Sequence, residues 1–158
     1  VPLIVADKTS TGQTDFVNGA AFVNAGTVNL TAGNLNLNGG GSFASTGVAN
    51  AAANTILFFN SDYTLASGAT LNGPGTYWLF GSTLAMNGSF NVSNLLLYAG
   101  ALAGTQTLTG GVTWNATNLG SSGTTTFAPT TILTVATSAD HDFNTRALVN
   151  QGLSLIHI

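Results

Sequence analysis

Thr27-Val28-Asn29-Leu30-Thr31-Ala32-Gly33-Asn34-Leu35-Asn36-Leu37-Asn38-Gly39-Gly40-Gly41 reads as two short strands, each followed by a turn. In Val28-Asn29-Leu30 and Leu35-Asn36-Leu37 apolar side chains alternate with a small amide, the period of two expected of a half-buried strand. The pattern returns in Tyr63-Thr64-Leu65, Phe90-Asn91-Val92 and Val112-Thr113-Trp114, with Gly, Asn and Ser turn residues between. Taking the first apolar member of each, strands start near Val28, Leu35, Phe43, Ile56, Tyr63, Leu71, Tyr77, Leu84, Phe90, Leu95 and Leu102. So short a pitch leaves only a few residues per turn and suits a chain bending at corners around one axis. The spacing predicts an all-β parallel solenoid with three short strands per coil of roughly 20 residues. At about 4.8 Å per coil, residues 1–152 would make a rod of about seven coils. The rival is an antiparallel sandwich or barrel, which the lack of Asp-Gly and the single Asn-Gly-Gly run disfavour.

Composition narrows the function. Asn, Thr, Ser and Gly make up 73 of 158 residues, whereas charged residues are 4% of the chain, against about 25% in an average soluble domain. There is no Glu, and Lys8 and Arg146 are the only cations beside five Asp. Phosphate neutralisation by basic side chains is therefore not available, and neither nucleic-acid binding nor attachment to anionic lipid is expected. Without cysteine, disulfides and thiolate metal sites are excluded. The longest apolar run, Leu95 to Gly104, is too short for a transmembrane helix.

A longer period overlies the short one. Asn18, Ala21, Val23, Asn24 and Gly26 recur 126 residues later as Asn144, Ala147, Val149, Asn150 and Gly152, and Asp15-Phe16 recurs as Asp142-Phe143. Charge follows it: Asp7, Lys8 and Asp15 lie at one end, Asp140, Asp142 and Arg146 at the other, with Asp62 alone between. The charged stretch is expected to be a recurring solvated junction. Val1 to Ser10 lacks the order of a signal peptide and reads as a cut end. Leu153-Ser154-Leu155-Ile156-His157-Ile158 departs in composition and resembles the translation of a transposon-end sequencing adapter. The expected organisation is thus one segment, residues 1–152, of a longer protein, with 153–158 a non-native tail; the alternative is that 153–158 is a genuine apolar strand docking on the end of the fold.

Phe22-Val23-Asn24-Ala25-Gly26-Thr27-Val28-Asn29-Leu30 with Ala32 to Gly41 resembles the repeats of large bacterial surface proteins of the autotransporter and filamentous-haemagglutinin-like adhesin type. Leu65-Ala66-Ser67-Gly68-Ala69-Thr70-Leu71, Gly73-Pro74-Gly75-Thr76 and Thr124 to Val135 share the likeness. The resemblance implies a right-handed parallel β-helix, secreted and displayed at the outer-membrane-associated cell surface as a structural or adhesive segment. It also implies stacking on adjacent repeats and contact with surface glycans or a host or neighbouring cell. It carries over no catalytic residue and no cofactor.

The residues themselves offer little chemistry. Acid/base hydrolysis needs two carboxylates a few ångströms apart, and the interior supplies only Asp62. Asp140, His141, Asp142 and Arg146 form the one cluster of a kind that a polysaccharide-degrading β-helix would use; they are expected in a solvated turn. No catalytic or metal residue is assigned, and the chain is expected not to be an enzyme. The sequons at Asn29, Asn87, Asn91 and Asn115 are expected to be outward strand or turn residues. The paired aromatics carry more. Within a strand Tyr77 and Trp78 point to opposite faces, as do Phe58 and Phe59, so one of each pair should leave the core. Burial under a loop such as 44–54 is the alternative. A glycan site, if one exists, includes Tyr77 or Trp78. An ice-binding solenoid is suggested by Thr105-Gln106-Thr107-Leu108-Thr109 and Thr124-Thr125-Thr126, but these do not recur at one coil spacing in the sequence.

Overall fold

The computed structural model describes residues 5–17, 19–116, 118–136, 140–142 and 144–156. Alternating residues do form strands, and three of them make each of the first coils. The first coil carries β1 (Val5–Lys8), β2 (Gln13–Phe16) and β3 (Phe22–Asn24). The second has β4 (Thr27–Leu30), β5 (Asn34–Leu37) and β6 (Gly41–Phe43), and the third β7 (Val48–Ala51), β8 (Ile56–Phe59) and β9 (Tyr63–Leu65). The fourth opens with β10 (Thr70–Asn72), after which β11 (Thr76–Met86) bends to supply both remaining faces. Beyond it run β12 (Gly88–Ala103), β13 (Gln106–Trp114), β14 (Gly123–Phe127), β15 (Ile132–Val135), β16 (Arg146–Asn150) and β17 (Leu153–Ile156).

Every strand pair is parallel, which removes the sandwich. The chain is a β-solenoid of about 7 turns with about 21-residue spacing, and no helix occurs among the described residues. One face stacks β1, β4, β7 and β10. A second stacks β2, β5, β8, the start of β11, the middle of β12, the end of β13, β15 and β17. The third stacks β3, β6, β9 and the end of β11. Segment 44–54 contains β7 and is not a covering loop.

The interior follows from the period of two. In the third coil Ala49 and Ala51, Leu57 and Phe59, and Tyr63 and Leu65 point inward from the three faces. Phe43 lies among Phe22, Phe59 and Tyr63, with ring centroids 6.0, 6.3 and 6.5 Å away. Because Ala49 and Ala51 are small, Tyr77 reaches across the core from the opposite face. Its hydroxyl lies between the carbonyls of Asn72 (2.7 Å) and Ala49 (2.8 Å). Burial holds the Tyr77 phenol far above its ordinary value and raises that of Tyr63 to about 12. The folded protein therefore keeps protons that the unfolded chain releases near pH 10, so stability is full below pH 10 and falls as pH rises toward 12. In an alkaline titration, phenolate absorbance from Tyr63 and Tyr77 is expected to rise together with loss of β-sheet circular dichroism. Their ionisation near pH 10 in a still-folded chain would contradict this burial.

Outward amides form ladders. Asn29 donates to Asp7 (2.7 Å), Asn50 to Asn29 (2.7 Å) and Asn72 to Asn50 (3.1 Å), one rung per coil. On the second face Gln13, Asn36 and Asn38 donate to Asp15 and hold its carboxyl below the ordinary range.

Partners on the Asp7–Asn29–Asn50–Asn72 ladder are 21 or 22 residues apart, but Gln106 and Thr125 meet at 19. Shorter coils bring hydroxyls into register that a constant period keeps apart: Ser89 pairs Thr107, and Thr107 pairs Thr126. The expectation that Thr does not recur at coil spacing is corrected for these coils.

The junction expectation also changes. Asp140 and Asp142 are exposed, but His141 is half-buried, its ring edge-on to Trp114 at 4.7 Å. Arg146 is half-buried in β16 and donates to the Gly104 carbonyl (2.7 Å) and the Thr125 hydroxyl (2.7 Å). That hydroxyl meets Gln106 Oε1 at 2.9 Å once the amide is set with its nitrogen on the carbonyls of Gly104 (3.0 Å) and Met86 (3.2 Å).

Asn24 and Asn150, 126 residues apart, close the same kind of local turn. Asn24 Oδ1 accepts from the Gly26 N–H (3.0 Å), and Asn150 Oδ1 accepts from the Gly152 N–H (3.2 Å). The two turns sit at different corners, since β3 pairs with β6 whereas β16 pairs with β14. Asn18 and Phe143 of that period, and His157 and Ile158 of the expected tail, lie outside the described residues. Leu153 to Ile156 pair with β15, and Leu153 and Leu155 are exposed.

Candidate functional site

On the second face one outward column reads Asp15, Asn36, Phe58, Trp78, Leu96, Thr113, each in register with the next. The first two rungs are a polar ladder, and the third replaces the amide with a ring. Phe58 stacks on Trp78 at 5.0 Å, and Trp78 meets Tyr98 at 5.6 Å and Phe80 at 6.3 Å at steep angles. Phe80 and Tyr98 stack on each other at 5.5 Å. The last two are the outermost, 49% and 42% exposed.

Backbone irregularities place these rings. The β11–β12 register shifts between Leu79 and Phe80 and again before Ser82, so Tyr98 enters as an unpaired residue between Leu97 and Ala99. Such bulges bend a strand and re-aim side chains. Gly81 (φ 79°) and Gly100 (φ 101°) supply the left-handed backbone that the bends need.

The cluster also breaks hydrogen-bonding rules. Asn36 donates to Asp15 (2.6 Å) on the preceding coil, but Phe58 on the following coil has no donor, so the buried Asn36 Oδ1 is left without a partner. The buried Trp78 Nε1 is likewise unpartnered. An unsatisfied buried polar atom costs about 1–3 kcal/mol. Asn60 Oδ1, Tyr63 Oη and Arg146 Nε are buried without a partner elsewhere, so it is the exposed rings rather than these two atoms that set the cluster apart.

Of the two rings named from the sequence, Trp78 belongs to this cluster and Tyr77 does not. Tyr77 is fully buried and cannot touch a ligand. Phe80 and Tyr98 are the residues that sequence reasoning missed. Period-two alternation puts Phe80 on Trp78's side, but the bulges, which decide its exposure, leave no sequence signal beyond Gly81 and Gly100.

Other places are less built. A cavity of about 360 Å³ at the first coil is lined by residues that include Lys8, Thr14, Phe16, Phe22, Val28 and Leu35. Among the described residues no three His, Asp or Glu side chains converge as metal ligands would. Comparison with protein-family models, curated proteins and solved structures finds no match.

Proposed function

We propose that this chain is a structural and adhesive segment of a large secreted bacterial cell-surface protein, non-catalytic, whose contact surface is the Phe58–Trp78–Phe80–Tyr98 cluster. The observation that carries this reading is the cluster itself: four rings packed together on the outside of the rod, with Phe80 and Tyr98 outermost. A rod of stacked coils holds such a patch away from whatever anchors it, which is what an adhesive stalk requires. Exposed contiguous apolar surface of this kind marks contact sites in soluble proteins.

The test is cell binding by the purified chain, read by flow cytometry, against the double variant Phe80→Ala/Tyr98→Ala. Both side chains are substantially exposed, so the fold should persist. Binding is expected to weaken at least tenfold, about 1.4 kcal/mol. Equal binding by a folded double variant would remove the cluster from the function.

A second reading, binding to ice or another crystalline surface, is favoured by the in-register Ser89, Thr107 and Thr126 beside the Asn91–Thr109 pair. Its readout is thermal hysteresis at the freezing point, lost in Thr107→Val/Thr126→Val.

A further inference from the structure

If the cluster is a contact surface, as just proposed, its surroundings define the chemistry of what it holds: we infer that its ligand is a neutral glycan, lying along the rod. The chain owns two cations. Lys8 lies in the first coil, where its ammonium is enclosed by the carbonyls of Ser10, Gly12 (2.8 Å) and Ala32 (3.2 Å) and by the Ser10 hydroxyl (2.8 Å). Arg146 lies in β16 with its guanidinium committed to Gly104 and Thr125. The rings occupy the third to fifth coils, and although Arg146 reaches back to Gly104, just past β12, both of its terminal nitrogens are already engaged there. A sulfated, sialylated or uronate ligand would surrender the hydration of its anions there with no cation to receive them, which is unfavourable.

The opposite charge fares no better. The rings pack on one another at centroid distances of 5.0 to 6.3 Å, so they do not frame the open cage that recognises a quaternary ammonium.

What fits is an uncharged ligand with an apolar C–H face and hydroxyls at its edge, which is a pyranose ring. Its C–H face can lie against the exposed rings of Phe80 and Tyr98, and its hydroxyls can meet the neutral rim. That rim holds Thr76 beside the column and Thr113 one rung beyond Leu96. Successive rungs are spaced at about 4.8 Å along the axis, so an extended oligosaccharide parallel to the rod meets a new ring on each coil. Affinity should therefore rise with oligosaccharide length and then level off once the three coils are covered.

The experiment titrates the whole chain with neutral oligosaccharides (cello-, chito-, manno- and galacto-series of increasing length) and acidic ones (hyaluronan, polygalacturonate and sialyllactose). Calorimetry and tryptophan fluorescence are the readouts, with Trp78→Phe separating Trp78 from Trp114. At least one neutral series is expected to bind, with affinity growing with length, little dependence on salt, and a loss of at least tenfold in Phe80→Ala/Tyr98→Ala. Equal or tighter binding of acidic glycans, weakening with salt, would overturn neutrality and leave the contact surface standing. So would cluster-dependent cell binding with no response to any glycan, which would assign the surface to a non-carbohydrate partner. Neutral glycans bound equally by the folded double variant would overturn both the ligand assignment and the contact surface.

Discussion

Phe43→Ala is expected to remove about 3–5 kcal/mol of stability, the range for deleting a fully buried aromatic ring, from a total that in typical domains is only about 5–15 kcal/mol. Phe43 is wholly inaccessible and touches rings from the coils on both sides of it, Phe22 of the first and Phe59 and Tyr63 of the third. The walls of the resulting cavity are strands held in ladders on both sides, so collapse is limited. In a solenoid each coil is supported only by its neighbours, and the loss should therefore localise. Hydrogen exchange should accelerate first in β3, β6 and β9, with the denaturant midpoint falling. Phe58→Ala, one residue from the equally buried Phe59 but on the outer face, is the matched control and should cost clearly less. A midpoint shift no larger than that of Phe58→Ala would mean that the interior is not packed as described.

The second large effect concerns the backbone that builds the cluster. Gly100 has φ 101°, and a Cβ there would stand 2.1 Å from the Ser82 carbonyl oxygen and 2.6 Å from its nitrogen. Gly100→Ala costs about 1–3 kcal/mol for the backbone conformation alone, and the overlap adds to it because the obstructing atoms are main chain. Relief requires β11 and β12 to part where Ser82 pairs with Gly100, next to Phe80 and Tyr98. Gly81→Ala isolates the first term. Its φ is 79° but nothing lies within 4 Å of the added carbon. Gly100→Ala should be the more destabilising by thermal melting and should disturb near-ultraviolet aromatic dichroism. Equal melting shifts for the two would show that the close approach to Ser82 is not what fixes this bend.

These contrasts also say what was legible beforehand. Alternation in Val28-Asn29-Leu30 and Leu35-Asn36-Leu37 places those apolar residues inside because side-chain period in a strand is a geometric fact, and their pitch gives coils close to the observed length. That Tyr77 or Trp78 must leave the core follows from the same fact. Which one does is set by the frame of the whole strand: Tyr77 shares the inward parity of Leu79, and its hydroxyl is accommodated because Ala49, far away in sequence, leaves room. The Ser89, Thr107 and Thr126 column was invisible because coil length changes along the rod, and a constant period misaligns it. Arg146 was expected in solvent on its charge, but a guanidinium can enter a partly buried site when carbonyl and hydroxyl oxygens receive its fork. Adhesion itself has no residue signature of its own. It is argued from the exposed cluster and from the resemblance, and its ligand from two cations already engaged by the chain's own oxygens.

The coil-on-coil ladders have a mechanical side. Inter-coil hydrogen bonds run along the axis of the rod, so tension between the two chain ends would load the outermost rungs first and peel coils in sequence. Each coil of about 21 residues can extend to about 70 Å, many times its rise of about 4.8 Å in the stack. A segment built this way yields by lengthening in small steps, so that a surface attachment under flow would be cushioned rather than snapped.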